Sequence, residues 1–458
     1  MKQEIRDTAG LLSKFAAELR FEQIPASVIE ITKMYICDYY AACFAGIKVN
    51  RQFNKAILAI TEAMDTSSGS ATVFEHDRKF SAENAAFLNA VYSHGADMDD
   101  GNRKAMGHVA AHVMSAVFAL AESLGNKSWK DIVTALMVGY EVYNRVGAMA
   151  QPGLVHRGFH STGTAGAVAC GAACAKLLDL DAEGIYQAIG IAAIQASGLL
   201  IIAESGQSCK PLNPANAART GIISAKMAAS GINGPRFPLE SKKGWFHAMT
   251  DDVHYEMLDG LGEEFTISES YLKPYPSCRH THCGIEAAID IREEMIKQGR
   301  SIKDIKRIRL YIYNNAIQIA GQIKLPNNPD DAKFSIHYSI AVAMISGNYT
   351  LEDLERKPSA EVGELTEKIE LISDASMEDT ASGIRGAKLN VEFNDGASLE
   401  RTVLLPKGDS ANPFSWDDMK RKLDACLEGF AFSSSVIIDK IRTIETSQNY
   451  RGISELLG

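Results

Sequence analysis

Ser161-Thr162-Gly163-Thr164-Ala165-Gly166-Ala167-Val168-Ala169-Cys170-Gly171-Ala172-Ala173 opens with two good helix caps and then carries no side chain larger than Val, Thr or Cys. A helix this thin on every face gains stability only where other helices pack very close to it, so the run reads as a buried central helix. The chain around it fits. From Ala26 to Ile47, Val28, Ile29, Ile31, Met34, Ile36, Cys37 and Tyr40 recur at near-helical spacing, and Lys130 to Met149 repeats the pattern with Ile132, Leu136, Met137, Tyr140 and Tyr143. Gly184 to Leu200 and Asn213 to Ser230 read as further helices, the second again rich in small residues. Up to about Trp245 there is almost no period-2 alternation, so residues 1–267 are expected to form an all-helical domain.

The texture changes near Ser268. Lys273-Pro274-Tyr275-Pro276-Ser277-Cys278-Arg279-His280-Thr281-His282 cannot be helical through its prolines, and it feeds a helix from Gly284 to Lys297. Ile308, Leu310 and Ile312 alternate with Arg307, Arg309, Tyr311 and Tyr313, the pattern of a half-buried strand. Leu389, Val391 and Phe393 do the same before Asn394-Asp395-Gly396, a hairpin signal. With a helix from about Asp331 to Gly347 between them, residues 268–405 make a smaller α+β domain. From Trp416 the pattern is helical once more, and the apolar faces of residues 406–458 need a partner, which places them back on the helical domain. The fold class is therefore mainly α: a large all-helical domain with a smaller α+β lid.

Bulk composition narrows the function. The 458 residues are 46% hydrophobic and 23% charged, as in ordinary soluble proteins, and long enough for two or three domains. A formal charge of −10 argues against a general polyanion binder, so no nucleic-acid partner is expected and any anionic ligand must be held by local cations. No apolar run approaches the roughly 20 residues that span a bilayer, no secretory h-region opens the chain, and the expected location is cytoplasmic. The eight cysteines are scattered without a Cys-x-x-Cys pair and read as structural thiols, with Cys209 and Cys278 the two that sit among polar loops.

The unusual chemistry lies in His94-Gly95-Ala96-Asp97-Met98-Asp99-Asp100, which runs on to His108 and His112. Acids and imidazoles gathered between apolar helices are costly to bury unless paired, and such clusters are often functional. One reading is a metal hydrolase, with His108 and His112 four apart on a helix face and the acids completing a site; the residues between them, Val109, Ala110 and Ala111, lack the Glu of the zincin pattern. The other is proton abstraction beside a carboxylate. It would draw on Asp97 with His108, on His160 at a helix start, and on Lys210 and Lys273 at two proline bends. The Lys210 loop spans Ser205 to Pro211.

Six segments, in order along essentially the whole chain, carry a resemblance. They are His94 to Asp100, Gly107 to Glu122, Gly158 to Ala167, Lys210 to Asn213 with Ala217 to Gly221, Lys273 to Arg279 with Thr281-His282, and Lys333 to Tyr338. Together they resemble the MmgE/PrpD family, which includes 2-methylcitrate dehydratase, cis-aconitate decarboxylase and iminodisuccinate epimerase. The resemblance implies homodimers, no metal or organic cofactor, and elimination, decarboxylation or epimerisation beside a carboxylate of a small di- or tricarboxylic acid. It implies that Asp97, His108, His160, Lys210, Lys273 and Tyr338 line a site between the helical domain and the lid. Lys210 and Lys273 would clamp carboxylates, His108 and His160 would move protons, Asp97 would set the charge of a neighbouring imidazole, and Tyr338 would donate a hydrogen bond from the lid. Cys278 and His282 would touch substrate. Asp99 and Asp100 are assigned to capping or to ion pairs with Arg103 and Lys104. Three departures stand out: Gly101 where the decarboxylases have Thr, Cys278 where they have His, and Val109 where a proline usually follows the site histidine. They weaken the decarboxylase reading in particular and keep dehydration ahead of it. A non-catalytic paralogue that binds a small acid is the remaining alternative.

Overall fold

The helix Ser161–Leu177 is buried along almost its whole length, in a computed structural model that describes residues 6–66, 69–203, 207–379, 383–446 and 449–457. Its lack of side chains is what lets its neighbours in. A Cβ on Gly166 would lie 2.9 Å from the His112 ring, and one on Gly221, in the facing helix Leu212–Ala229, would lie 2.1 Å from the Cβ of Cys170. The helices Ala82–Gly95, Ala110–Leu124, Trp129–Met149 and Ala182–Ala193 complete the shell around this pair. Ala26–Lys48 packs on the Ala82–Gly95 helix, outside them.

The helix expected over Gly184 to Leu200 stops at Ala193. Beyond it the backbone is taken by tertiary hydrogen bonds instead: His160 N donates to Gly198 O (3.0 Å) and Leu200 N to Gly158 O (2.8 Å). Gly198, at φ +136°, makes that turn without a steric cost. This strap passes directly over the start of the central helix. Of the loop before Lys210, Ser205 and Gly206 lie outside the described residues.

In the smaller region a four-stranded sheet forms from β1 (Ile305–Ile312), β2 (Ile369–Ser373), β3 (Ala387–Phe393) and β4 (Ser398–Val403), in the order β4-β3-β1-β2. β3 is antiparallel to both neighbours, whereas β2 lies parallel to β1. Ile308, Leu310 and Ile312 of β1 and Leu389, Val391 and Phe393 of β3 are buried, as their alternation requires, and the helix His282–Lys297 covers β3 and β4. The parallel β2 is absent from the sequence reading because a five-residue strand entered from a helix has no hairpin signal. The helix expected over Asp331 to Gly347 is two helices, Pro329–Lys333 and Ile336–Ser346; Ser335 breaks it by capping the second through a bond from Tyr338 N (3.0 Å).

The last helices, Trp416–Leu427 and Ser434–Arg442, lie on Ala26–Lys48. Buried Lys422 reaches from the first of them to Asp38 and to the carbonyl of Met98. A short ladder, Gly101–Asn102 against Ser270–Tyr271, ties the acidic loop to the start of the smaller region. No helix among the described residues is long and apolar enough to cross a membrane.

Candidate functional site

The acidic loop begins where the helix Ala82–Gly95 ends, and its first acid is held in an unusual backbone conformation. Asp97 lies at φ +52°, in the left-handed region that costs a residue with a side chain about 1–3 kcal/mol unless its surroundings fix it. They do. Lys273 Nζ donates to Asp97 Oδ1 (2.5 Å) and to the Asp97 carbonyl (2.9 Å), and Lys210 Nζ donates to Asp97 Oδ2 (2.9 Å). Asp97 and Lys273 are both almost fully buried. Burial alone would raise the Asp97 pKa, but Lys210 and then Lys273 override it and hold the carboxyl well below the usual range. The sequence-predicted lysines and acid are thus brought together, with both cations resting on the protein's own carboxylate.

Three imidazoles stand beside this cluster. His108 Nδ1 contacts the Asp100 carbonyl at 2.8 Å and Asp99 Oδ1 at 3.3 Å, while its Nε2 lies 3.7 Å from Asp97 Oδ1. His94 Nδ1 meets Asp99 Oδ2 at 2.8 Å, and its buried Nε2 has no hydrogen-bond partner among the described residues. Burial, only partly offset by Asp99, pushes the His94 pKa down to about 4, so this ring is neutral near pH 7. The His94 and His108 rings pack edge to face at 4.6 Å, and His160 lies 6.2 Å from His94. Burial and then Lys210 hold His160 neutral as well, well below the ordinary imidazole range.

A carbonyl or carboxylate oxygen only accepts hydrogen bonds. His94 and His108 therefore carry protons on Nδ1, and the neutral His94 ring presents an unprotonated Nε2. His94 went unassigned in the sequence reading. Its signal was the fixed offset His94 to Asp99, a carboxylate one loop turn after an imidazole.

A cavity of about 550 Å³ opens beside the cluster, lined by His94, Asp97 and Lys210 from the helical body and by Lys324, Lys333 and Phe334 from the smaller region. Lys210 Nζ lies 5.5 Å from the centroid of the Phe334 ring. Buried Lys333 donates to the Gly95 carbonyl (2.7 Å) and to Asp330 Oδ1 (2.8 Å), and Asp330 also accepts from Ser208 Oγ (2.7 Å). Cys278 is partly exposed, and burial followed by the nearby Asp97 charge raises its pKa, keeping it a thiol.

The geometry corrects several expectations. Tyr338 does not reach the cavity: its hydroxyl donates to Asp353 O (2.7 Å) inside the smaller region, and the residue is 1% exposed. His282 is fully buried, with Nε2 on Ser277 O (3.2 Å) and Nδ1 near Arg279 (3.3 Å), so it supports the bend rather than touching a ligand. Asp99 pairs with imidazoles, while Arg103 pairs with Asp409 and Lys104 with Glu269. Asp100 does cap: its Oδ1 accepts from Val109 N (3.2 Å) and Ala110 N (2.9 Å), and its Oδ2 from Tyr140 (2.9 Å).

His108 and His112 do not share a helix face, because the helix begins only at Ala110, and His112 turns inward against Cys170 (3.6 Å). One ligand atom from each of His94, Asp99 and His108 falls within 4.8 Å of the others, a spacing that suits a small cation. Each Nδ1 also faces an oxygen at hydrogen-bond length, the Asp99 carboxylate for His94 and the Asp100 carbonyl for His108. Gly101 also has a spatial cause. A Cβ there would sit 2.5 Å from the Tyr271 hydroxyl, which fills the place a side chain would take.

Comparison with known proteins identifies the family of the chain. Residues 10–258 match the MmgE/PrpD N-terminal domain, and residues 275–445 match the MmgE/PrpD C-terminal domain. A cis-aconitate decarboxylase-like protein of Aspergillus oryzae is 28% identical, the alignment covering 97% of this chain and 95% of that protein. The cis-aconitate decarboxylase of Homo sapiens is 26% identical over 89% of this chain and 85% of its own length. A 2-methylcitrate dehydratase of Salmonella typhimurium is 25% identical over 52% of this chain and 51% of its own. Decarboxylase and dehydratase are both lyases. With two domain matches that together span most of its length, the first of them carrying the acidic loop, the imidazoles and Lys210, this chain belongs to the MmgE/PrpD family.

Proposed function

We propose that the protein is a lyase that moves a proton beside a carboxylate of a small di- or tricarboxylic acid, without an organic cofactor or a metal. The observation that carries this reading is the Lys210–Asp97–Lys273 sandwich beside three imidazoles, at the wall of a cavity of about 550 Å³. Two ammonium groups already seated on a carboxylate are preorganised for the carboxylates of a substrate, and preorganised charge is the largest single source of transition-state stabilisation.

In the reaction, substrate carboxylates take over Lys210 and one bond of Lys273. His108 Nε2 removes the proton from the carbon beside a carboxylate, and the imidazolium is stabilised by Asp97 at 3.7 Å and Asp99 at 3.3 Å. Electron density moves onto the adjacent carboxylate as an enolate paired with lysine. In dehydration it returns to expel the β-hydroxyl, which takes the Nε2 proton of neutral His160 and leaves as water; the proton gained by His108 then returns to the His160 imidazolate through solvent, which restores both rings. Cis-aconitate-type decarboxylation would use the same groups in reverse order, with CO₂ leaving first and the carbanion then protonated. Dehydration stands first, because Gly101 and the thiol of Cys278 leave the bend with fewer polar groups. Epimerisation of a dicarboxylate such as iminodisuccinate is the second reading, favoured by the presence of both a proton acceptor and a proton donor among the imidazoles. The proposal includes a cytoplasmic homodimer, which light scattering of the purified chain would check.

The deciding experiment is incubation in deuterated buffer with citrate, 2-methylcitrate, cis-aconitate and iminodisuccinate. Deuterium at the carbon beside a carboxylate, or an alkene product, in one of them and undiminished by chelator identifies the substrate. No exchange with any of the four, by protein whose urea-unfolding midpoint responds to the same acids, would support the binding-only alternative.

A further inference from the structure

Asn213 lies in the first turn of the helix Leu212–Ala229, and its side chain leaves the helix to meet the strap and the central helix. Its Nδ2 is 3.3 Å from Leu199 O and 3.0 Å from His160 Nδ1. Because a peptide carbonyl only accepts, the contact with Leu199 fixes which end of the amide is nitrogen. The ring atom facing that nitrogen must then be the unprotonated one. His160 therefore carries its proton on Nε2, the opposite of His94 and His108, whose Nδ1 atoms face Asp99 and the Asp100 carbonyl.

We propose that Asn213 is the positioning residue that makes His160 the proton donor of the three imidazoles, by holding its neutral ring in the Nε2–H form. This rests on the lyase reading and says which histidine supplies the proton to the leaving group.

The surrounding backbone is built to keep that contact. His160 N donates to Gly198 O (3.0 Å), and Phe159 bridges Leu199, so the strap is locked to both residues that Asn213 touches. A Cβ on Gly198 would lie 3.2 Å from Asn213 Cγ, at a backbone angle that residues with side chains rarely adopt. Lys210, His94, His108 and Asp97 are the charged or titratable groups that act on His160; burial and Lys210 dominate and keep it neutral, so its tautomer decides whether it gives or takes a proton. Among the described residues no hydrogen bond engages its Nε2, so that N–H is not committed to any of them.

The test has a spectroscopic arm that needs no substrate. In the full chain labelled with ¹⁵N-histidine, with His160 assigned by its loss in His160→Gln, Nδ1 should resonate as an unprotonated ring nitrogen and Nε2 as a protonated one. In Asn213→Asp the new carboxylate accepts rather than donates, so Nδ1 should become protonated. A protonated Nδ1 in the unmodified protein, or an unchanged spectrum in Asn213→Asp, would overturn the proposal.

The kinetic arm uses the substrate found by deuterium exchange. A misplaced proton removes general-acid catalysis, so kcat should fall roughly 100-fold or more in Asn213→Asp while KM changes less than about threefold. Inverted tautomer signals with unaltered kcat would refute the donor role. A protein inert toward all four acids but with the expected tautomers would instead fault the lyase reading and leave the tautomer assignment standing.

Discussion

Replacing Asp97 by Asn removes one charge and almost nothing else. Asn tolerates the left-handed backbone at φ +52° as well as Asp does, and the two side chains have the same shape. What changes is that Lys273, 1% exposed, and Lys210 lose the carboxylate that lies 2.5 and 2.9 Å from them. Removing one partner of a buried ion pair costs about 3–5 kcal/mol, because the other charge stays behind without compensation. Asp97→Asn should therefore unfold in urea with a stability about 3–5 kcal/mol below the unmodified protein at pH 7. A small dianion such as malonate should restore part of that loss by settling between the two ammonium groups, and should stabilise the unmodified protein much less.

The pH dependence follows from the depressed carboxyl. Its stabilisation is fully present above the unfolded value of about 3.9 and is lost as pH falls from there toward the native value, so the gap between variant and parent should close below about pH 4. A variant within about 0.5 kcal/mol of the parent at pH 7, or equal stabilisation of both by malonate, would mean that the lysines do not depend on Asp97 and that the sandwich has been misread.

Three further outcomes are expected. Tyr338→Phe deletes a hydroxyl bonded to Asp353 O within the smaller region, so it should cost about 1 kcal/mol of stability while kcat stays within about twofold; a large loss of kcat would return Tyr338 to the site. Burial pushes the His112 pKa down to about 3, so the unfolded chain takes this proton first as pH drops below about 6.5. Relative to His112→Gln, the parent should lose roughly 1.4 kcal/mol per pH unit between about 6.5 and 3; urea titrations of the two proteins that stay parallel across that range would contradict it. Gly101→Ala should cost about 1–3 kcal/mol, because a Cβ 2.5 Å from the Tyr271 hydroxyl forces a rigid, buried ring to move, and Tyr271→Leu in the same chain should recover most of it.

How much of this was legible in the sequence depended on the range of the forces involved. The thin helix Ser161–Leu177, the alternation of β1 and β3 and the hairpin at Asp395-Gly396 are dictated by side chains close together in the chain, and each appeared where the residues put it. The parallel strand β2 and the early stop at Ala193 are set by partners far away, by β1 in one case and by His160 and Gly158 in the other. The same division holds at the site. Asp97, His108, Lys210 and Lys273 meet as expected, and His160 lies beside them. Tyr338 and His282 belong to matching segments, but a segment shows only which helix or bend a residue sits on, and the rotamer that turns Tyr338 toward Asp353 is fixed by packing. His94 and Asn213 were hidden for the converse reason: each acts through one hydrogen bond to a side chain, which leaves no periodic trace.

The two lysines on Asp97 are not equivalent. Three ammonium groups from distant parts of the chain donate to carbonyls of the acidic loop: Lys333 to Gly95, Lys273 to Asp97 and Lys422 to Met98. Hydrogen bonds to charged groups contribute about 1.5–3 kcal/mol each, enough together to offset the left-handed backbone at Asp97 and the repulsion of three acids within four residues. Lys273 is therefore part of the loop's scaffold as well as its charge balance, and it keeps the Asp97 carbonyl even if its bond to the carboxylate is exchanged. Among the described residues Lys210 has no such second anchor. There it holds Asp97 Oδ2 and the face of Phe334, it borders the cavity, and it is the more exposed of the two, with 13% of its side chain accessible against 1% for Lys273. An entering carboxylate competes with Asp97 for Lys210 at little structural cost, whereas at Lys273 it can exchange only the bond to the Asp97 carboxylate and leaves the bond to the carbonyl in place. Lys210→Met should thus raise KM with modest loss of stability, and Lys273→Met should lower the urea midpoint as well, a split that equal stability losses in the two variants would disprove.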